Sequence, residues 1–356
     1  MDREITYATA GVDIDKSALA IKAITEWLRL TFKQRENKVG EVLEEIGHFA
    51  NLVDIGNNRA IAIHTDGVGT KVLLAQLLNK YDTIGIDLVA MNVNDMICVG
   101  AEPIAMVDYI ATQEPDPEIM SQIGKGLAIG AEEAGIAIVG GETATLPEII
   151  KGAIEKKGFD LAGTCIGIVE KNKIITGEKI QPNDIVLGLK SSGIHSNGLT
   201  LARKVLLEIS KLNLNERLPD FNQRVGEELL KPTKIYVKPV LELIKNCEIH
   251  GLSHITGGGF LKLKRIGKTS KIGFILDALP QPQPIFRAIQ KFGNISNFEM
   301  YRTFNMGIGF CIVLPKYEVE KAKKIVNKYN IDSFIIGKAV ADPENKLEIK
   351  PVGVIS

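Results

Sequence analysis

Residues 60–81 read AIAIHTDGVGTKVLLAQLLNKY, and the change of period inside this stretch sets the fold class. AIAIHT (60–65) has the alternation of a strand, DGVGTK (66–71) is a glycine turn, and VLLAQLLNKY (72–81) reads as a helix. A strand that runs through bare backbone into a helix aims amide groups and a positive dipole end at one point, which suits an anion. The stretch is not a G-x-x-x-x-G-K-[ST] loop, because Thr70 precedes Lys71 and Val72 follows it, and it lacks the third glycine of a dinucleotide fingerprint. Asp66 is the odd residue, since a carboxylate repels phosphate. One reading makes it a helix cap. The other brings the ligand in with Mg²⁺, a hard cation that bridges carboxylate and phosphate oxygens.

The second reading needs more acids, and the chain offers them in similar settings. Asn94-Asp95 precedes GAEP, Glu142 follows Gly140-Gly141, and Asp13 lies in AGVDID with Asp15. Each alone is also a cap or a solvated acid. Together they suggest a site that gathers Mg²⁺ around a triphosphate. In the second half, SSGIHSNG (191–198) sets small hydroxyls, His195 and Asn197 before a helix, and HITGGGF (254–260) has three consecutive glycines that let backbone approach a phosphate. A plain helix N-cap and a tight turn are the alternatives for these two stretches.

Working outward, helical spacing covers 17–30 around Trp27, 85–98, 117–134, 197–212, a Pro-interrupted region 225–246, and 317–329. Strands are expected at 104–112, 159–170, 184–190, 271–277, 306–314 and 334–340, with IAIVGG (136–141) a short buried strand ending in Gly-Gly. Polar KNKIITGEKIQPND (171–184) separates two mixed α and β halves, so the fold class is mixed α/β (α+β) in two domains, 1–168 and 169–356.

Composition narrows the partners. The 356 residues carry 43 Lys plus Arg against 43 Asp plus Glu, so no global field recruits nucleic acid or an anionic membrane. With 45% hydrophobic and 24% charged residues the chain reads as an ordinary globular protein. MDREITYATAG has no signal-peptide pattern, and no apolar run reaches the length of a membrane span. Cys98, Cys165, Cys247 and Cys311 lie far apart, which suits reduced thiols in a cytoplasmic protein. The five histidines show no zinc spacing.

Taken in order, AGVDID (10–15), TDGVGTK (65–71), TIGIDLVAMNVND (83–95), GAEP (100–103), GGETA (140–144), DLAG (160–163), SSGIHSNG (191–198), PTKIYVK (232–238), HITGGGF (254–260) and EMYRTFNMGIG (299–309) resemble the phosphoribosylformylglycinamidine cyclo-ligases. The resemblance implies ATP-dependent closure of an imidazole ring in purine biosynthesis, by a homodimer whose N-terminal sheets pair. It implies catalytic roles for His195, Asp95 and Asp66, with His195 a proton carrier or a hydrogen-bond donor to the ribonucleotide phosphate. ATP would be met by Gly67, Val68, Gly69, Thr70, Lys71, Asn94, Gly140 and Gly141. Formylglycinamidine ribonucleotide would be met by Ser191, Ser192, Asn197, Gly257, Gly258 and Gly259, and Mg²⁺ by Asp66, Asp95, Glu142 and Asp13.

Three features depart from the family. EEIGHFANLVDIG (44–56) is poorer in glycine than usual, TLPEIIKGAIEKKG (145–158) differs in length and composition, and Lys22, the nearest candidate for an early family lysine, lies closer to AGVDID than in the family, so that role is left unassigned. Within the superfamily, selenophosphate synthetase needs an early reactive cysteine, whereas Cys98 is the first here. Thiamine monophosphate kinase would share the acids but not RTFNMGIG. A catalytically silent nucleotide-binding protein is the reading from another class.

Overall fold

Alternation in Phe159–Glu170 buries every second side chain from Phe159 to Val169, and this strand becomes the centre of the first sheet. The computed structural model describes residues 5–350 and 352–355. In the first half, β1 (Asn51–Gly56), β2 (Arg59–Gly67), β3 (Glu102–Thr112), β4 (Ala137–Thr145) and β5 (Phe159–Glu170) form a sheet of order β1-β2-β5-β3-β4. Only β3 and β4 run parallel.

The helices of this half are α1 (Ile14–Arg29), α2 (Lys71–Leu78), α3 (Asp82–Ile97) and α4 (Pro117–Ala134). α3 lies across β2, β5 and β3, and α4 packs on α3. That crossing is close because Gly85 and Gly126 meet there. A Cβ on Gly126 would stand 2.1 Å from the Asp82 carbonyl, so only glycine fits. The other face of the sheet carries Ile63, Val107, Tyr109 and Val139, all exposed. α1 is exposed along most of its length, Trp27 included, and Lys22 lies exposed on it.

The second sheet has seven strands: β6 (Ile185–Lys190), β7 (Gly251–His254), β8 (Ile272–Leu276), β9 (Ile308–Leu314), β10 (Ser333–Ala341), β11 (Leu347–Ile349) and β12 (Gly353–Ile355). Their order is β12-β11-β8-β10-β6-β9-β7, and only β8 and β11 run parallel. β9 is buried throughout. Both halves are therefore mixed sheets with helices. Among the described residues no helix is long and apolar enough to cross a membrane, and all four cysteines are free, three of them buried.

Several elements differ from expectation. IAIVGG is not a short buried strand: β4 runs on to Thr145 as an exposed edge strand, with Gly140 and Gly141 in its middle. The helix expected over 197–212 is α5 (Leu199–Arg203) followed by a π-helical stretch, Lys204–Ile209. The region 225–246 splits into α6 (Val225–Leu229) and α7 (Val237–Asn246), because Pro232 cannot donate a helical hydrogen bond.

Between the sheets, Asp184 and His250 pin the connecting segment to β7. His250 Nδ1 lies 2.6 Å from Asp184 and its Nε2 lies 3.0 Å from Glu248. Burial pulls the imidazolium down, but the two carboxylates outweigh it and hold His250 above its ordinary value. A raised folded pKa stabilises fully below the unfolded value and is lost as pH rises through the folded one. The difference in Tm between wild type and His250→Gln is therefore expected to be widest below the unfolded value of about 6.5 and to narrow as pH rises through the raised folded one. A difference constant over that range would assign the contact to neutral hydrogen bonding instead.

Candidate functional site

His64 and Asp66 are two residues apart on β2, so both side chains leave the same face of the sheet, toward α3. Asn92 fixes that strand to the helix, exchanging hydrogen bonds with the Asp66 backbone N–H and carbonyl at 3.2 Å each. One turn further along, α3 delivers Asp95 from the opposite side. The result is a cluster of His64, Asp66 and Asp95 whose ligand atoms all lie within 4.8 Å of one another. His64 Nε2 stands 3.6 Å from Asp95 Oδ2, buried and with no hydrogen-bond partner. From the second half, His254 Nδ1 meets Asp95 Oδ1 at 2.7 Å.

The two acids are driven apart in acidity. Burial and the charge of Asp95 raise Asp66, opposed more weakly by His64, Lys262 and its hydrogen bond from the Gly67 N–H. Burial also pushes Asp95 up, but His254, His64 and Lys262 outweigh it and leave Asp95 below its ordinary value. Burial and Arg265 bring Lys262 down to about 8, against the pull of both acids. Two converging carboxylates whose mutual repulsion raises one of them, beside an orphaned imidazole nitrogen, fit a hard divalent cation.

Not every acid expected here arrives. Asp13 caps α1, accepting from the Lys16 N–H at 2.9 Å, and lies exposed outside the cluster. Glu142 pairs in register with Tyr109, one residue out of step with the row Gly141–Asp108–Gly163–Asp66. Strand alternation therefore turns it toward the opposite face of the sheet. Gly140 and Gly141 belong to the same edge strand, three places from β2 and roughly 14 Å away.

In HTDGVGTK, Asp66 is not a helix cap: α2 starts after Thr70 with no side-chain cap. Gly67 ends β2, the Val68 side chain is buried, and Gly69 (φ 59°) and Thr70 are exposed at the helix start. Lys71 does not face the loop. It is fully buried, 2.8 Å from Asp87, and donates to the Lys231 carbonyl at 2.5 Å. Asn94 is likewise spent on structure, donating to the Lys234 carbonyl at 2.8 Å and accepting from the Tyr236 N–H at 2.9 Å.

The SSGIHSNG segment packs against α3. Ser191 is buried, with its hydroxyl 3.0 Å from the Gly193 carbonyl and 3.1 Å from Asn305 Oδ1, so that hydroxyl is satisfied within the protein. Ser192 donates to the Pro232 carbonyl at 2.5 Å. His195 sits at φ 66° and is 1% exposed. Its Nε2 accepts from the Ser192 and Lys234 N–H groups at 3.2 and 3.5 Å, which places the ring proton on Nδ1, a buried atom without a partner. Burial, then His254 and Lys71, push its pKa well below the ordinary value. His195 is therefore a neutral imidazole with an unpartnered N–H, a state open to either a proton carrier or a hydrogen-bond donor to a phosphate.

Gly257 abuts Asn197, whose Oδ1 would lie 2.8 Å from a Cβ there, so the two expected substrate stretches touch. Gly259 is a packed turn at φ 53°, where a Cβ would meet the Tyr301 carbonyl at 2.3 Å, while nothing lies within 4 Å of the Cβ position of Gly258. His64, His254 and Lys262 went unassigned from sequence. Both histidines lie inside the quoted motifs, which was the available signal.

Comparison with known proteins fixes the family. Residues 47–169 match the N-terminal domain, and residues 181–350 the C-terminal domain, of AIR synthase related proteins. The phosphoribosylformylglycinamidine cyclo-ligase of Pyrococcus horikoshii is 54% identical over 98% of this chain and 99% of its own length. That of Methanocaldococcus jannaschii is 51% identical over 98% and 97%. Among solved structures, thiamine-monophosphate kinase from Stenotrophomonas maltophilia superposes with a TM-score of 0.63 at 19% identity, covering 90% of this chain and 95% of that one. A hydrogenase maturation protein solved in complex with ATP superposes with a TM-score of 0.58 at 21% identity, covering 83% and 84%. These two share the fold; the sequence relatives fix the family, and the chain belongs to the phosphoribosylformylglycinamidine cyclo-ligases.

Proposed function

We propose that the protein uses ATP to close formylglycinamidine ribonucleotide into 5-aminoimidazole ribonucleotide, releasing ADP and phosphate, in de novo purine biosynthesis. The observation that carries this is identity above half, over nearly the whole chain, to relatives named for that reaction. A formamide oxygen is a poor leaving group. Phosphoryl transfer from ATP to that oxygen forms a P–O bond and releases ADP; an amidine nitrogen then attacks the formyl carbon. The C–O bond breaks, phosphate leaves with the former formyl oxygen, and a proton is lost as the imidazole forms.

The residues divide this work. Asp66 and Asp95 would hold Mg²⁺ with His64 beside them, and the ion would neutralise phosphate charge. The exposed backbone at Gly69 and Thr70 offers amides to the nucleotide at the start of α2. His254 orients Asp95, and His195 presents its Nδ1–H to the substrate side. On this reading residues 1–168 bind ATP and pair, and 169–356 complete the substrate site.

A homodimer is the reading supported by the uncovered face of the first sheet, where Ile63, Val107, Tyr109 and Val139 are exposed. Light scattering is expected to give twice the chain mass, and Tyr109→Glu to reduce it to one. The free cysteines suit a cytoplasmic protein. Purified protein supplied with the ribonucleotide, ATP and Mg²⁺ is expected to form one aminoimidazole per ADP. A small-molecule kinase would phosphorylate thiamine monophosphate instead, and a silent nucleotide binder would do neither.

A further inference from the structure

Lys71 was expected at the phosphates and is found elsewhere. It closes the TDGVGTK loop, yet its ammonium is buried against Asp87. Asp87 is also fully buried, and its Oδ1 accepts from four groups. These are Lys71 Nζ at 2.8 Å, the Thr233 N–H at 2.7 Å, the Thr233 hydroxyl at 2.6 Å and the Ser196 hydroxyl at 3.0 Å. Lys71 goes on to the Lys231 carbonyl. One carboxylate thus ties the end of the nucleotide loop to the 231–234 segment and to the residue after His195.

Asn94 repeats the pattern seven residues, or about two turns, along α3. It holds Lys234 and Tyr236 from the same face of the helix. The Lys234 N–H in turn reaches His195 Nε2. A buried ion pair is a weak source of stability, because desolvation offsets its attraction, whereas its demand for fixed geometry is strict. We propose that Lys71 and Asp87 are positioning residues that set the His195 loop from the nucleotide loop, so that occupation of one orders the other. The inference rests on the proposed reaction for its kinetic reading but not for its structural one.

Full-length protein is to be tested as Asp87→Asn and as the double variant Ser196→Ala/Thr233→Val. The double variant removes the two hydroxyl links but leaves Asp87 paired with Lys71 and the Thr233 N–H, so no buried charge is stranded and the fold is expected to persist even where Asp87→Asn loses it. Hydrogen exchange of residues 191–198 is compared with and without AMP-PNP and Mg²⁺, which needs no turnover. Wild type is expected to gain protection in this segment on adding the analogue, and the double variant to gain little. In the ring-closure assay the double variant is expected to lose about tenfold or more in kcat with KM for ATP unchanged. Protection equal in wild type and double variant, or absent from wild type, overturns the coupling. If wild type shows the protection yet forms no aminoimidazole, the proposed reaction fails and the coupling stands.

Discussion

Asp66→Asn is expected to lower kcat on the order of a hundredfold or more while raising the Tm of the metal-free protein. The two effects have one cause. Burial and the neighbouring charge of Asp95 raise the pKa of Asp66 above its ordinary value. A carboxyl whose folded pKa exceeds its unfolded value costs stability at neutral pH, where it must ionise, so a neutral amide of the same shape relieves that cost. The same charge is what a divalent cation at the nucleotide phosphates requires, and removing one carboxylate forfeits several kcal/mol of charge stabilisation. Asp95→Asn is expected to lose comparable rate without the gain in Tm, because it also weakens the 2.7 Å contact with His254. Steady-state rates at saturating Mg²⁺ and thermal melts in chelator decide the matter. A near-normal rate with a lowered Tm for Asp66→Asn would return the residue to a structural role.

The next largest effect is expected at His195, where His195→Ala should reduce kcat by roughly a hundredfold. Part of that loss is architectural. The Ser192 and Lys234 N–H groups would lose the acceptor that Nε2 provides, at about 1–3 kcal/mol for a buried donor left alone. His195→Asn separates the parts, since asparagine tolerates the positive φ that this position imposes. It is expected to recover Tm relative to alanine without recovering kcat. Recovery of both would make His195 a brace for the loop. Because burial holds the imidazole well below its ordinary value, the wild-type rate is expected to show no limb from His195 near pH 6.5. An acid limb there, absent from His195→Asn, would contradict the neutral state.

Legibility from sequence followed the range of the interactions. Pro117–Ala134 and Phe159–Glu170 were readable with their bounds because periodicity alone builds them. β7 was missed because it is four residues long and its partner β9 lies far along the chain, and β1 because it is a short strand whose hairpin turn, Asn57-Asn58, carries no glycine. The helices Pro284–Gly293 and Asn297–Thr303 were hidden behind the proline-rich approach QPQP, although Pro284 itself starts the first of them. Asp66 was legible as a charge inside a glycine turn, and Asp95 as an acid near the end of a mostly apolar helix just before GAEP. Lys71 was misread for a different reason: a motif gives adjacency, not direction. Its side chain turns inward to a carboxylate sixteen positions away, and only the packing of α2 on α3 shows it. Glu142 failed through strand parity, one residue out of step with the row that faces the site. His254 reaches Asp95 across the two halves of the chain, a contact no local pattern records.

The most direct test of ATP-driven ring closure follows the oxygen that must leave. Ribonucleotide labelled with ¹⁸O in its formyl group is incubated with the protein, unlabelled ATP and Mg²⁺, and the released phosphate is weighed by mass spectrometry. Activation of that oxygen by ATP predicts one ¹⁸O in each phosphate formed, matched by one aminoimidazole and one ADP. Label found in water, with unlabelled phosphate, would contradict it.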